Sequence, residues 1–209
     1  MRILKETLDM FCACSGHKVS IAKTTVFFSK NFDTERGQAL ADYGGFKLVD
    51  DLGFYLGVPL LHKRVTSATY RFLIDKVESR LAGLKARTLS LAGRITLAKA
   101  VLQAIPTYVM QTTWLPKGVC DAIERIIRRF IWGSSNGSKG IPLVRWSVIS
   151  TGTKEGGLGL RQLGRQNKAL LMKVGYRLII DHNKLWVQVL RHKYKWEGSI
   201  PQNIYRLGC

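Results

Sequence analysis

From Thr66 onward the apolar residues of this 209-residue chain recur at helical spacing, and that change of period limits what it can fold into. Tyr70, Leu73, Ile74, Val77, Leu81 and Leu84 lie on one helical stripe. Ser90 then stands where a cap belongs, and a second helix is expected through Arg94 and Ala100 until Pro106 kinks or ends it. Pro116, Lys117 and Gly118 set off a third. In it Val119, Ile123, Ile126, Ile127 and Phe130 face inward, while Arg125, Arg128 and Arg129 face outward. Three such stripes can cover one another in a small bundle. The Gly/Ser-rich segment Gly133 to Gly140 is the best linker candidate, and a further basic helical portion is expected from about Arg165 to Tyr194.

The part before Thr66 reads differently. Residues 2–13 alternate at helical spacing and Ser15-Gly16 stops them. Val19 to Ser29, rich in β-branched and aromatic residues, reads as one strand or a hairpin edge, with Lys23 in its path. Glu35 to Tyr43 is a short helix closed by Gly44-Gly45. Phe54 to Leu61 is a second strand that Pro59 places at an edge. The fold class expected is therefore α+β, in which a small strand-containing part, 1–61, precedes a mainly helical 62–133 and a linker with helical region, 134–209. The first part has too few strands for a self-sufficient sheet.

Charge follows the same division. Residues 1–61 carry 7 basic and 7 acidic side chains, whereas 62–209 carry 26 and 7, so the whole formal charge of +19 sits after Leu61. A polyanion is the natural partner of such a field. Nucleic acid suits it better than an anionic membrane, because no lone basic amphipathic helix or lipidation motif stands out. No apolar run approaches the roughly 20 residues that span a bilayer, and the first residues do not read as a signal peptide, so a soluble, intracellular chain is expected.

Several motifs invite chemistry and yield little. Cys12, Cys14, Cys120 and Cys209 are too few and scattered for a disulfide scaffold, and Cys12-Ala13-Cys14 with His17 lacks a second ligand pair for zinc. Gly156-Gly157-Leu158-Gly159 lacks the lysine and hydroxyl residue of a phosphate loop and reads as a turn. Asp50-Asp51 are the only adjacent carboxylates, and a polar turn accounts for them better than a metal site. His17, His62, His182 and His192 form no triad or metal pairing visible in sequence. Trp132, Trp146 and Trp186 fit core positions better than base-stacking platforms. No catalytic residue, metal ligand or cofactor site is therefore assigned.

The stretch Leu89-Ser90-Leu91-Ala92-Gly93-Arg94-Ile95-Thr96-Leu97, leading through Val101-Leu102 to Pro106 and Tyr108, resembles the thumb of plant LINE-type (non-LTR) reverse transcriptases. Other blocks share that resemblance in order. Phe11, Ser15-Gly16, Lys18-Val19, Ile21, Lys23 and Phe27-Phe28-Ser29 look like the segment after the catalytic palm strand, and Tyr55 to Leu60 like the element supporting the primer end. Phe130 to Gly133, Trp146, Lys154, Gly156 to Gly159, Asn167, Ala169 to Leu171, Lys173, Leu185-Trp186 and Lys193-Tyr194 resemble the region before the zinc-binding module. One departure is Leu84, where the family usually has tryptophan.

The resemblance implies a palm remnant, a thumb and a connecting region of an RNA-directed DNA polymerase, whose partner is a template–primer duplex of RNA and DNA. Upstream palm and fingers would belong to the parent polyprotein, and its magnesium ions would sit on aspartates that include a Tyr-Ala-Asp-Asp turn. That turn is not in this sequence, and Asp50-Asp51 stand in the wrong order relative to Tyr55. The chain is therefore expected to be inactive alone. Tyr55, Leu56 and Gly57 would form a primer-grip-like turn. Lys85, Arg87, Arg94 and Lys99, interleaved with an apolar face, would meet duplex phosphates, though a solvated helix face has the same pattern. Lys23 would lie near the nucleotide in the parent enzyme, and work on chromosomal DNA would place that enzyme in the nucleus. A co-opted binding module that never needs the palm, or a pseudogene product without function, are the alternatives.

Overall fold

The computed structural model describes residues 1–29, 31–62, 64–83, 89–133, 142, 144–196 and 198. The fold is α+β with a mainly helical C-terminal part. It comprises two compact units, Met1–Val65 and Thr66–Cys209. No helix among the described residues is long and apolar enough to cross a membrane.

In the first unit, α1 (Arg2–Ser15) ends where Gly16 takes φ 70° and donates its N–H to the Cys12 carbonyl. Its apolar side chains stay in water: Ile3 is 74% exposed, Met10 65% and Phe11 58%. The strand expected over Val19 to Ser29 shrinks to β1 (Thr25–Val26), behind a single 3-10 turn at Ile21–Lys23. It pairs in parallel with β2 (Lys47–Leu48), Thr25 opposite Lys47 and Val26 opposite Leu48. Between them lies α2 (Thr34–Gly44), capped by the Asp33 carboxylate on the Arg36 N–H at 2.7 Å and closed by Gly45 at φ 70°. Parallel strands need such a crossover, so this is a minimal β-α-β unit. Gly37 lets α2 settle on the stacked rings of Phe28 and Phe32, whose centroids are 4.7 Å apart.

The expected strand Phe54 to Leu61 is a tight hairpin instead. β3 (Phe54–Tyr55) pairs antiparallel with β4 (Val58–Pro59) across Leu56 and Gly57, at φ 50° and 81°. Two central residues at positive φ suit the right-handed twist of a two-residue hairpin. Gly57 adopts this freely, whereas Leu56 is held there against its own Cβ.

The helical unit holds almost all the buried apolar side chains. After a 3-10 turn at Ser67–Tyr70 come α3 (Arg71–Ala82), α4 (Leu91–Leu97), α5 (Ala104–Met110) and α6 (Lys117–Trp132). Tyr70, Leu73, Val77, Leu102, Met110, Val119, Ile123, Ile127 and Ile131 are at most 1% exposed. Each such aliphatic side chain contributes roughly 1.5–3 kcal/mol by leaving water. Ser90 caps α4 as expected, its Oγ accepting the Gly93 N–H at 3.2 Å.

Pro106 neither ends nor breaks the helix. A π turn over Ala98–Leu102 joins α4 to α5, and its widened register is closed by the Gln103 N–H on the Ala98 carbonyl at 3.0 Å. Pro106 lies in the first turn of α5, where its missing N–H leaves no helical bond unmade. Residues 134–141, which hold most of the expected linker, lie outside the described residues. Beyond them α7 (Trp146–Ile149), α8 (Leu163–Ile180) and α9 (Leu185–Lys193) contribute Ile149, Leu163 and Val187 to the core. The basic helical portion expected from about Arg165 to Tyr194 consists of α8 and α9, separated at Asp181 to Lys184.

Candidate nucleic-acid interface

Three buried polar side chains fasten α8 and the segment before it onto the bundle. Asn167, 2% exposed, donates to the carbonyls of Met110 and Thr113, both at 2.9 Å, and accepts the Leu115 N–H at 2.8 Å. Gln103 pairs face to face with the backbone of Arg161, donating to its carbonyl at 2.9 Å and accepting its N–H at 3.2 Å. Glu124 of α6 accepts the Leu163 N–H at 2.8 Å and the Trp146 indole N–H at 2.8 Å. A carboxylate at the first turn of α8 meets N–H groups that have no helical partner, a place where negative charge is favoured. These groups are satisfied at each end, so they orient the helices rather than weaken the core.

What they build is a cleft. The π turn and α5 form one wall. The glycine turn after Thr153–Glu155 forms another, with Gly156 and Gly159 at φ 79° and 67°. A Cβ on Gly157 would collide with Thr151, so the turn closes tightly only because that position carries none. Gly159 leaves room for the ammonium of Lys99, which lies 3.7 Å from where a Cβ would stand. The resulting cleft, about 420 Å³, is lined by Lys99, Gln103, Thr107, Tyr108, Gly159 and Arg161 among others.

A second cleft of about 560 Å³ shares Thr107 and Arg161 with the first and continues along α8 past Arg165, Gln166, Leu170 and Lys173. Lys99, Arg161, Arg165 and Lys173 line the two clefts, and among the described residues no carboxylate does. None of the four forms an ion pair with a described residue. A hydrogen-bonded chain runs beneath: Gln166 Nε2 donates to Thr107 Oγ1 at 2.9 Å, and that hydroxyl donates to the Gln103 carbonyl at 2.8 Å. Gln166 Oε1 is left buried without a partner at the junction. Tyr108, half exposed, offers its ring to the first cleft. The arrangement is a polar trough in which four cations face the clefts.

The residues singled out in sequence are dispersed. Only Lys99 reaches the cleft. Arg94 is turned inward: its Nε donates to the Leu89 carbonyl at 3.2 Å and its Nη1 to the Ile131 carbonyl at 3.1 Å, beside the Gly133 cap of α6. A cation there complements the negative end of α6. Lys85 and Arg87 lie outside the described residues. Lys23 is exposed at the end of the 3-10 turn, in the first unit. Tyr55, Leu56 and Gly57 form the hairpin tip, where Tyr55 is 65% and Leu56 73% exposed.

Asp51, in the expected polar turn, accepts the Gly53 N–H at 2.7 Å and faces His62 Nε2 at 3.8 Å. Among the described residues no group of three His, Cys, Asp or Glu stands where it could hold a metal ion. Trp146 is engaged with Glu124 and lies under the Arg128 guanidinium at 4.8 Å, a packing role. Burial first, then the negative charges of Glu124 and Asp121, push the Cys120 thiol up to about 11, which keeps it protonated and unreactive. Sequence reading did not single out Arg161 and Tyr108, which line the first cleft. Arg165 and Lys173 were visible there as part of a basic helix, but not their meeting with Lys99.

No protein-family model matches the chain. It is similar to two proteins of Arabidopsis thaliana. One, named as a putative ribonuclease H protein, is 42% identical over 137 residues, 66% of this chain and 22% of that protein. The other, named as an uncharacterized mitochondrial protein, is 34% identical over 100 residues, 47% of this chain and 65% of that protein. The chain thus matches about a fifth of the length of the first and under two thirds of the second.

Proposed function

We propose that this chain is a part of a LINE-type retroelement reverse transcriptase that holds template–primer nucleic acid and does no chemistry alone. The observation that carries this reading is the confinement of the +19 charge to residues 62–209, together with two adjoining clefts there lined by four cations and, among the described residues, no carboxylate. The ordered family-like blocks support it. So does the similarity to a protein whose printed name is a putative ribonuclease H protein. Magnesium, and with it polymerisation, would belong to parts of the parent enzyme that supply the Tyr-Ala-Asp-Asp turn; work in the nucleus follows from the same reading. A co-opted binding module is the second reading, favoured by the helical unit's possession of its own core.

The test is a salt titration of the full chain on an RNA template with an annealed primer. Affinity should fall with salt at a log–log slope near −0.9 per phosphate contact on duplex and show no sequence preference. A slope near zero overturns the reading. Given magnesium and all four deoxynucleotides, the same mixture should show no primer extension above a protein-free control. Extension that vanishes in an Asp50→Ala, Asp51→Ala variant would overturn the claim that the chain only binds.

A further inference from the structure

We infer that the two clefts form one continuous groove for a single-stranded polynucleotide, with Lys99, Arg161, Arg165 and Lys173 on its phosphates and Tyr108 beneath a base. This rests on the reading that the chain binds nucleic acid, and names the form of nucleic acid and the place. The clefts share Thr107 and Arg161, so a chain lying in one passes directly into the other. Arg165 and Lys173 stand two helical repeats of four apart, with Ala169 between them on the same face, which spreads their charges over about 12 Å of α8. Four cations strung along a trough fit a repeating anion. A lone phosphate would call for donors that converge.

The groove also discriminates between strands. A duplex keeps its bases stacked inside and offers phosphates alone, so it makes no use of the exposed ring of Tyr108. An unpaired strand offers phosphate and base face together, the combination that single-strand sites exploit. At a template–primer junction such a groove would take the unpaired template. A planar anionic membrane fits neither the concavity nor the aromatic wall.

Fluorescence anisotropy of the full chain with a labelled oligothymidylate of roughly 15 nucleotides, near the upper span of one such groove, tests this. The paired variant Arg165→Ala, Lys173→Ala should lose about tenfold in affinity and flatten the salt slope by about 1.4, two single-strand contacts at roughly 0.7 each. Tyr108→Ala should lose about tenfold with the slope unchanged, because stacking releases no counterions. The charge-matched control Arg125→Ala, Arg129→Ala, on the outward face of α6, should change little. All five side chains are exposed, so an unchanged helical circular dichroism spectrum is expected throughout. If the control weakens binding as much as the groove pair and Tyr108→Ala is silent, the groove is wrong while nucleic-acid binding stands. Tighter binding to a blunt duplex of equal length, lost in the groove variants, would overturn the choice of strand. Absence of binding to any polynucleotide at low salt would overturn the function reading itself.

Discussion

Helices α1 and α6 are both amphipathic, yet they end in opposite circumstances. No residue of α1 is buried, whereas α6 buries Val119, Cys120, Ile123, Glu124, Ile126, Ile127, Phe130 and Ile131. Among the described residues Ala41 is the single buried apolar side chain of the first unit. The difference teaches that an apolar stripe states which face would be covered, not whether the chain brings anything to cover it. Covering α6 takes α3, the π turn and α8, elements spread over a hundred residues of sequence. The first unit has two-residue strands and one crossover helix to offer.

The sharpest way to break this contrast is amide exchange. Amides of α6 should exchange about a thousandfold or more slowly than those of α1 and β1, because core helices open only with free energies of about 5 kcal/mol or more. Equal protection in Thr25–Val26 and α6 would mean that the first unit has found partners outside its own sheet. A mutational version comes next. Ile127→Ala should destabilise the helical unit by about 3 kcal/mol in denaturant unfolding, and Leu4→Ala should cost less than about 0.5 kcal/mol. A comparable cost at Leu4 would erase the distinction.

Cys120 sharpens the comparison through pH. Its folded-state pKa is raised, so the stability it contributes is fully present below about 9.0 and is lost as pH rises toward about 11. The stability gap between the native chain and Cys120→Ala should narrow over that window, and a constant gap would refute the buried-thiol account. Thiol reagents should meanwhile modify exposed Cys14 before Cys120. The smallest effect concerns the hairpin. Leu56→Asn keeps an exposed position but tolerates positive φ, so it should stabilise the first unit by up to about 1 kcal/mol and slow exchange of the Leu60 amide, which bonds the Gly53 carbonyl. A loss of protection there would show that the Leu56 side chain does more than tolerate its place.

What could be read from sequence was local. Ser90, Gly16 and Gly45 mark helix ends because capping is settled within a few residues, and the stripes of α3 and α6 follow from period alone. The Val19 to Ser29 strand was overestimated because β-rich composition says nothing of whether a partner exists, and Lys47–Leu48 offers only two residues. Composition read the hairpin as one strand since leucine is not a turn residue, whereas the resemblance implied a turn at Tyr55 to Gly57. Arg94 read as a surface cation because its acceptor, the Ile131 carbonyl, lies 37 residues away. The clefts were hidden for the same reason: Gln103 meets Arg161 across 58 residues, and that pairing brings the segment before α8 beside the helix that carries Lys99.

The π turn at Ala98–Leu102 fixes the phase between two halves of one helical rod. Each residue of an α-helix turns the chain by about 100°. Straightening this turn into a regular α-helix without removing a residue would rotate everything before it by about that angle against α5. Arg94 would leave the end of α6, and Lys99 would swing away from Gly159. Register at this point is therefore a stricter requirement than composition: substitutions along α4 act one side chain at a time, whereas loss of the π turn would turn the two halves of the rod against each other.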